Sequence, residues 1–166
     1  MSQGSILLVE PPEDDRPMYA EYLRSYGFSV TEVDSTDAGL SAAHAADLVV
    51  TGVRVSGSFD GIELVRRLRH DDRTKATPLI VLTACTFEPD QARAYAAGCD
   101  VFLPKPCLPE MLLAEARRLI DQAARRRTQA TGKRATGVGK RQMSKALLER
   151  SHELVKRVRQ RKHNHR

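Results

Sequence analysis

Four short aliphatic runs recur along the first two-thirds of the chain, each closing on a residue of different chemistry. They are residues 5–10 (SILLVE), 47–52 (DLVVTG), 78–83 (PLIVLT) and 100–105 (DVFLPK). Runs of this length, rich in β-branched residues and bounded by polar residues or proline, are the pattern of strands buried on both faces of a parallel sheet. A weaker run, Phe28, Val30 and Val33, predicts one more strand between the first two. The closing residues of the four strong runs are Glu10, Gly52, Thr83 and Lys105, and in an open parallel sheet such strand ends border a common crevice.

Between the runs the period changes to that of a helix. Met18, Tyr22 and Leu23, flanked by Tyr19 and Tyr26, stop at Gly27, and the acids Glu13, Asp14 and Asp15 suit the positive first turn of that helix. Ser35 or Thr36 caps a short helix through Leu40, Ala43 and Ala46, and Asp60 caps one whose Leu64, Val65 and Leu68 share a face. Pro89 opens a helix through Ala92, Tyr95 and Ala96 that Gly98 closes; Pro109 opens the last, with Met111, Leu112, Ala116, Leu119 and Ile120 recurring. Five strand–helix units in succession predict a doubly wound α/β fold, with right-handed crossovers and strand order 2-1-3-4-5.

Composition divides the chain further. With 41% hydrophobic and 29% charged residues it is globular. Of its 27 basic side chains 12 lie before residue 125, but of its 21 acidic ones 19 do, so residues 1–124 carry −7 and residues 125–166 carry +13. The expected organisation is a domain over 1–124, a flexible basic linker over 125–141 and a basic, partly helical tail over 142–166, in which Leu147, Leu154, Val155 and Val158 fall at helical spacings. No apolar run is long enough to span a bilayer and the N-terminus lacks a signal-peptide core, so a cytoplasmic protein without membrane contact is expected. Cys85, Cys99 and Cys107 are odd in number with no CxxC spacing, which points to neither a disulfide framework nor a zinc site.

The motifs ILLVE, DLVV followed by VRVSGSFDGIELVRRLR, TPLIVLTA and AAGCDVFLPKP, in that order, resemble the receiver domain of two-component response regulators over residues 5–121. The resemblance implies the flavodoxin-like arrangement of the five-stranded sheet. It also implies phosphoryl transfer from a histidine kinase to an aspartate ending the third strand, with Mg²⁺ held by that aspartate and an acidic pair after the first strand. A Thr or Ser after the fourth strand and a Lys after the fifth would contact the phosphate. A carboxylate nucleophile and hard oxygen ligands are what such chemistry requires.

Two positions depart from that pattern. The phosphoacceptor position is Gly52, and the acidic pair is Glu10 followed by Pro11. Thr83, Ala84, Lys105 and Pro106 remain as pocket residues, and Phe102 stands at the aromatic switch position. No neighbour substitutes for the lost aspartate: Thr51 projects to the opposite face, Asp60 reads as a helix cap, and Asp14 and Asp15 as helix-terminal acids. With the aspartate missing, Lys105 is expected to pair with Glu10, and Lys105–Pro106 resembles the family's cis peptide; Cys85 and Cys107 are expected at the pocket rim. The expectation is a stand-alone degenerate receiver, not an enzyme and without Mg²⁺ or other cofactor. It would act in phosphorelay-type signalling by binding a protein partner, mainly through the fourth helix, fifth strand and fifth helix. The alternatives are a relay component with an unusual acceptor, or a regulator whose residues 125–166 bind nucleic acid by phosphate neutralisation.

Overall fold

The computed structural model of the chain describes residues 2–13, 15–84, 88–132 and 149–150. Strands β1 (Ser5–Val9), β2 (Ser29–Val33), β3 (Leu48–Thr51), β4 (Leu79–Thr83) and β5 (Val101–Pro104) alternate with helices α1 (Arg16–Ser25), α2 (Thr36–Ala42), α3 (Gly61–His70) and α4 (Glu88–Ala97). A last helix, α5, occupies residues 109–132. The strands form one parallel sheet in the order β2-β1-β3-β4-β5, as the alternation of strand and helix patterns predicts. The compact fold extends to Ala123.

The central strands are apolar throughout because successive side chains face opposite layers, both of which are covered. Leu7, Val9, Val49 and Val81 pack with Leu64, Val65 and Leu68 of α3 and Ala94 and Ala97 of α4. Ile6, Leu8, Val50, Ile80 and Leu82 pack on the other side with Tyr19 and Leu23 of α1 and Leu112, Ala116 and Leu119 of α5. Asp60 is the N-cap of α3, its Oδ1 accepting from the Glu63 N–H at 2.8 Å, and Ser35 rather than Thr36 caps α2.

Four sequence expectations shift. The buried face of α1 is Tyr19, Ala20 and Leu23, with Met18 exposed, because the Tyr19 hydroxyl donates to the Cys107 carbonyl at 2.7 Å and draws that ring inward. In α4 the small side chains Ala94 and Ala97 face the sheet, while Ala92, Tyr95 and Ala96 face outward; a helix of alanines close to the sheet leaves no room for the tyrosine. Glu13 and Asp15 precede α1 rather than lying in its first turn, since the two prolines at 11 and 12 delay the helix to Arg16; Asp14 lies outside the described residues. Finally, residues 125–132, expected in a flexible linker, are helical: Ala, Arg and Gln are strong helix formers, and no glycine or proline interrupts them before Gly132. The rest of the expected linker and most of the expected tail lie outside the described residues.

One side chain ties the end of α3 to the bottom of the sheet. The Arg69 guanidinium donates to the carbonyls of Gly98, Lys75 and Thr77 at 2.8, 3.1 and 2.6 Å and to Asp100 Oδ2 at 2.8 Å. Asp100 Oδ2 also accepts from the Leu79 N–H. Arg69→Ala strands these acceptors together and is expected to lower stability by about 2–4 kcal/mol. Arg69→Lys, which offers no planar fork, should recover little of the loss in urea unfolding.

Candidate functional site

The carboxyl ends of β1, β3, β4 and β5 border a cleft of about 380 Å³. Glu10, Gly52, Thr83 and Lys105 all line it, together with Pro11 and Ala84, so the structure brings together the residues that close the four aliphatic runs. Each arrives there because parallel strands in register end at one edge: Val9 pairs with Thr51, Thr51 with Val81, and Thr83 with Pro104.

An ion pair fills the centre of the cleft. The Lys105 ammonium lies 3.2 Å from Glu10 Oε1 and 3.3 Å from Oε2, with the two side chains only 10% and 3% exposed. Both groups are held from behind. The Glu10 N–H donates to Val33 O, and its carbonyl accepts from Arg16 Nη1 at 2.7 Å. The Lys105 N–H donates to Thr83 O, and the Lys105–Pro106 peptide is cis. Two opposite charges this deeply withdrawn from water each carry a desolvation cost that only a close partner offsets.

Gly52 presents backbone alone, and the geometry around it is instructive. Its N–H donates to Val9 O at 3.1 Å. A Cβ built there would meet Val55 Cγ2 at 3.4 Å, Glu10 Oε1 at 3.6 Å and the Leu82 carbonyl at 3.7 Å, so the position has room for a side chain. The next glycine differs: a Cβ on Gly61 would sit 1.7 Å from the Gly52 carbonyl, so α3 can start against β3 only with glycine there. Thr51 is buried with its hydroxyl donating to Gly52 O and does not line the cleft.

Phe102 is buried with Val81, Ala94 and Ala97 on the α4 side of the sheet, and its N–H donates to the Tyr95 hydroxyl at 3.3 Å. Cys107, expected at the rim, is instead packed in the core beside Tyr19 and Leu112, because the chain turns inward to α5 there. Burial pushes its thiol up, and that of Cys99 up to about 11, so both stay protonated at neutral pH. Cys85 lies outside the described residues. Sequence reasoning missed Glu13 and Arg54 as cleft residues. The signal for Glu13 was Pro11-Pro12, which keeps residue 13 out of the helix; for Arg54 it was the long loop after Gly52, whose side chains must rise around the strand end.

A five-stranded parallel sheet in this order, with Thr and Lys at the ends of its last two strands, defines a signalling module of receiver type. The chain belongs to the response regulator receiver domain family, whose model matches residues 6–117. It is 36% identical over 124 residues to the uncharacterized transcriptional regulatory protein YkoG of Bacillus subtilis, covering 74% of this chain and 53% of that one. It is 34% identical over 122 residues to the transcriptional regulatory protein GltR of Pseudomonas aeruginosa, covering 72% of this chain and 50% of the relative. The chain therefore spans about half the length of the curated relatives it matches. Among solved structures it is similar to the receiver domain of the sensor histidine kinase PA1611 from Pseudomonas aeruginosa, which holds a magnesium ion in its active-site cleft. That match has a TM-score of 0.65 and 28% identity, over 71% of this chain and 98% of that one. Domains of this family signal through protein partners such as kinases and effectors. Among the described residues no helix is long and apolar enough to cross a membrane.

Proposed function

We propose that this chain is a pseudo-receiver: a regulatory module that binds a protein partner in phosphorelay-type signalling without conventional aspartyl phosphorylation. The observation that carries the reading is the pairing of Gly52 with the buried Glu10–Lys105 contact. No carboxylate stands where a nucleophile is needed, and the lysine that would neutralise a phosphoryl group already faces a carboxylate. The residues present do not fit Mg²⁺ either. Such an ion takes several hard oxygen ligands in near-octahedral array. Here Glu10 is engaged by an ammonium, Pro11 and Gly52 offer no side-chain oxygen, and no three acidic, histidine or cysteine side chains converge among the described residues.

The partner surface is supported by exposed apolar side chains, which a signalling module has reason to keep. Tyr95 on α4 and Met111 on α5 lie within the face expected from sequence, with Leu108 just before α5, while Met18 on α1 and Tyr26 at its C-terminal end lie outside it. The reading therefore includes α1 alongside α4 and α5, in a cytoplasmic protein. Treatment with acetyl phosphate and MgCl₂ followed by intact-mass spectrometry should show no phosphoryl adduct, and NMR titration with Mg²⁺ should leave the cleft amides unmoved. An acid-labile adduct on any residue would sink the reading.

A further inference from the structure

The segment beyond the compact fold has a character of its own, independent of the cleft. Residues 124–132 are helical and every one of them is exposed. They include Arg125, Arg126 and Arg127 but no aliphatic residue larger than alanine. Three consecutive residues on a helix fan across about 200° of its circumference, so this is a cationic collar rather than a stripe. Between Asp121 and Glu149 the sequence holds eight lysines and arginines and no acidic residue. A helix with no apolar face normally leans on charge pairs along its surface. Asp121 stands four residues before Arg125, but no acid lies three or four residues after these arginines, so the helix surface carries net positive charge.

The kind of anion follows from what else is present. A membrane-surface helix needs a face of Trp, Phe or Leu to enter the headgroup layer, and residues 124–132 have none. A single-strand binder stacks bases on aromatic rings, and residues 125–166 contain no Phe, Tyr or Trp. Nor do the threonines offer donors for reading bases. The Thr128 hydroxyl donates to Ala124 O at 3.1 Å and that of Thr131 to Arg127 O at 2.5 Å. What remains is guanidinium density, the chemistry that neutralises phosphates spaced along both strands of a duplex. We infer that the exposed basic helix over residues 125–132 binds the phosphate backbone of duplex nucleic acid without reading its sequence.

Fluorescence anisotropy of the full-length chain with two labelled DNA duplexes of unrelated sequence tests this. Both duplexes should bind within a few-fold of each other, and affinity should fall by at least an order of magnitude between about 50 and about 200 mM salt. The triple variant Arg125→Ala, Arg126→Ala, Arg127→Ala should bind about tenfold or more weakly, with a salt slope shallower by about 1 for each phosphate contact removed. Its unfolding curve should match the parent's, because the replaced side chains are exposed. Absence of binding at low salt, an unchanged affinity in the triple variant, or a strong preference for one duplex would overturn the inference. So would binding to phosphatidylserine vesicles with none to DNA.

Discussion

The Gly52→Asp, Pro11→Asp double variant is expected to be less stable than the parent in EDTA and to recover as Mg²⁺ is added. The space for the first substitution exists: a Cβ at Gly52 makes contacts no closer than 3.4 Å, all of them ordinary van der Waals distances. Its carboxylate would then stand beside Glu10, whose Oε1 lies 3.6 Å from that Cβ. With the second carboxylate at position 11, three carboxylates, at positions 10, 11 and 52, would crowd around the Lys105 ammonium in a cleft that Glu13 and Arg54 also line. Like charges in such a site cost several kcal/mol unless a cation intervenes. Loss of about 2–4 kcal/mol in EDTA is therefore expected, read as a melting temperature lower by roughly 5–15 °C. A divalent ion binding only the folded state adds about 2.7 kcal/mol at a concentration 100 times its Kd, enough to return most of the deficit. Gly52→Asp alone should be destabilised without comparable recovery, because its ligand set remains short of one carboxylate. If the double variant gains no stability from millimolar Mg²⁺, the cleft differs from a metal-binding receiver in more than these two residues.

The reason this experiment can be designed at all is that the strand ends were legible in the sequence. Aliphatic runs such as residues 6–9 and 79–82 admit one reading, strands covered on both faces, and parallel strands bring Glu10, Gly52, Thr83 and Lys105 to one edge by necessity. The helix faces were less legible. Tyr19 and Met18 are neighbours of similar apolar size, and the hydrogen bond from the Tyr19 hydroxyl to Cys107, 88 residues away, decides between them. In α4 the pattern offers mostly alanines, for which periodicity carries almost no information, so that the burial of Ala94 and Ala97 rather than Ala92, Tyr95 and Ala96 is decided by packing. The site shows the same division. Residues at the strand ends meet in one cleft through strand register, whereas Glu13 and Arg54 depend on loop paths that the sequence marks only indirectly. The helical extension over 125–132 was hidden for a different reason. Its lack of apolar residues argued against order, while its helix propensity argued for it; propensity prevailed there.

Lys105→Met is expected to be the most damaging single change in the cleft. The methionine keeps most of the apolar stem but removes the ammonium 3.2 Å from Glu10, leaving a carboxylate that is 3% exposed without the cation it faces. Removing one member of a buried pair typically costs about 3–5 kcal/mol, chiefly because the remaining charge is stranded. Replacing both members should cost much less: Glu10→Gln with Lys105→Met deletes the charges together, and for such exchanges the net effect lies near zero on the scale of about 1 kcal/mol. The difference between the double variant and the sum of the two single variants, measured by urea unfolding, is then the coupling energy of the pair. A coupling above about 2 kcal/mol would make the pair the fixed centre of the cleft, holding the ends of β1 and β5 together where a receiver of the conventional kind would hold a metal and a phosphoryl group. A coupling near zero, with Lys105→Met almost as stable as the parent, would mean the lysine is free to leave Glu10. It would then be available to an incoming anion, and the case for a silent cleft would rest on Gly52 and Pro11 alone.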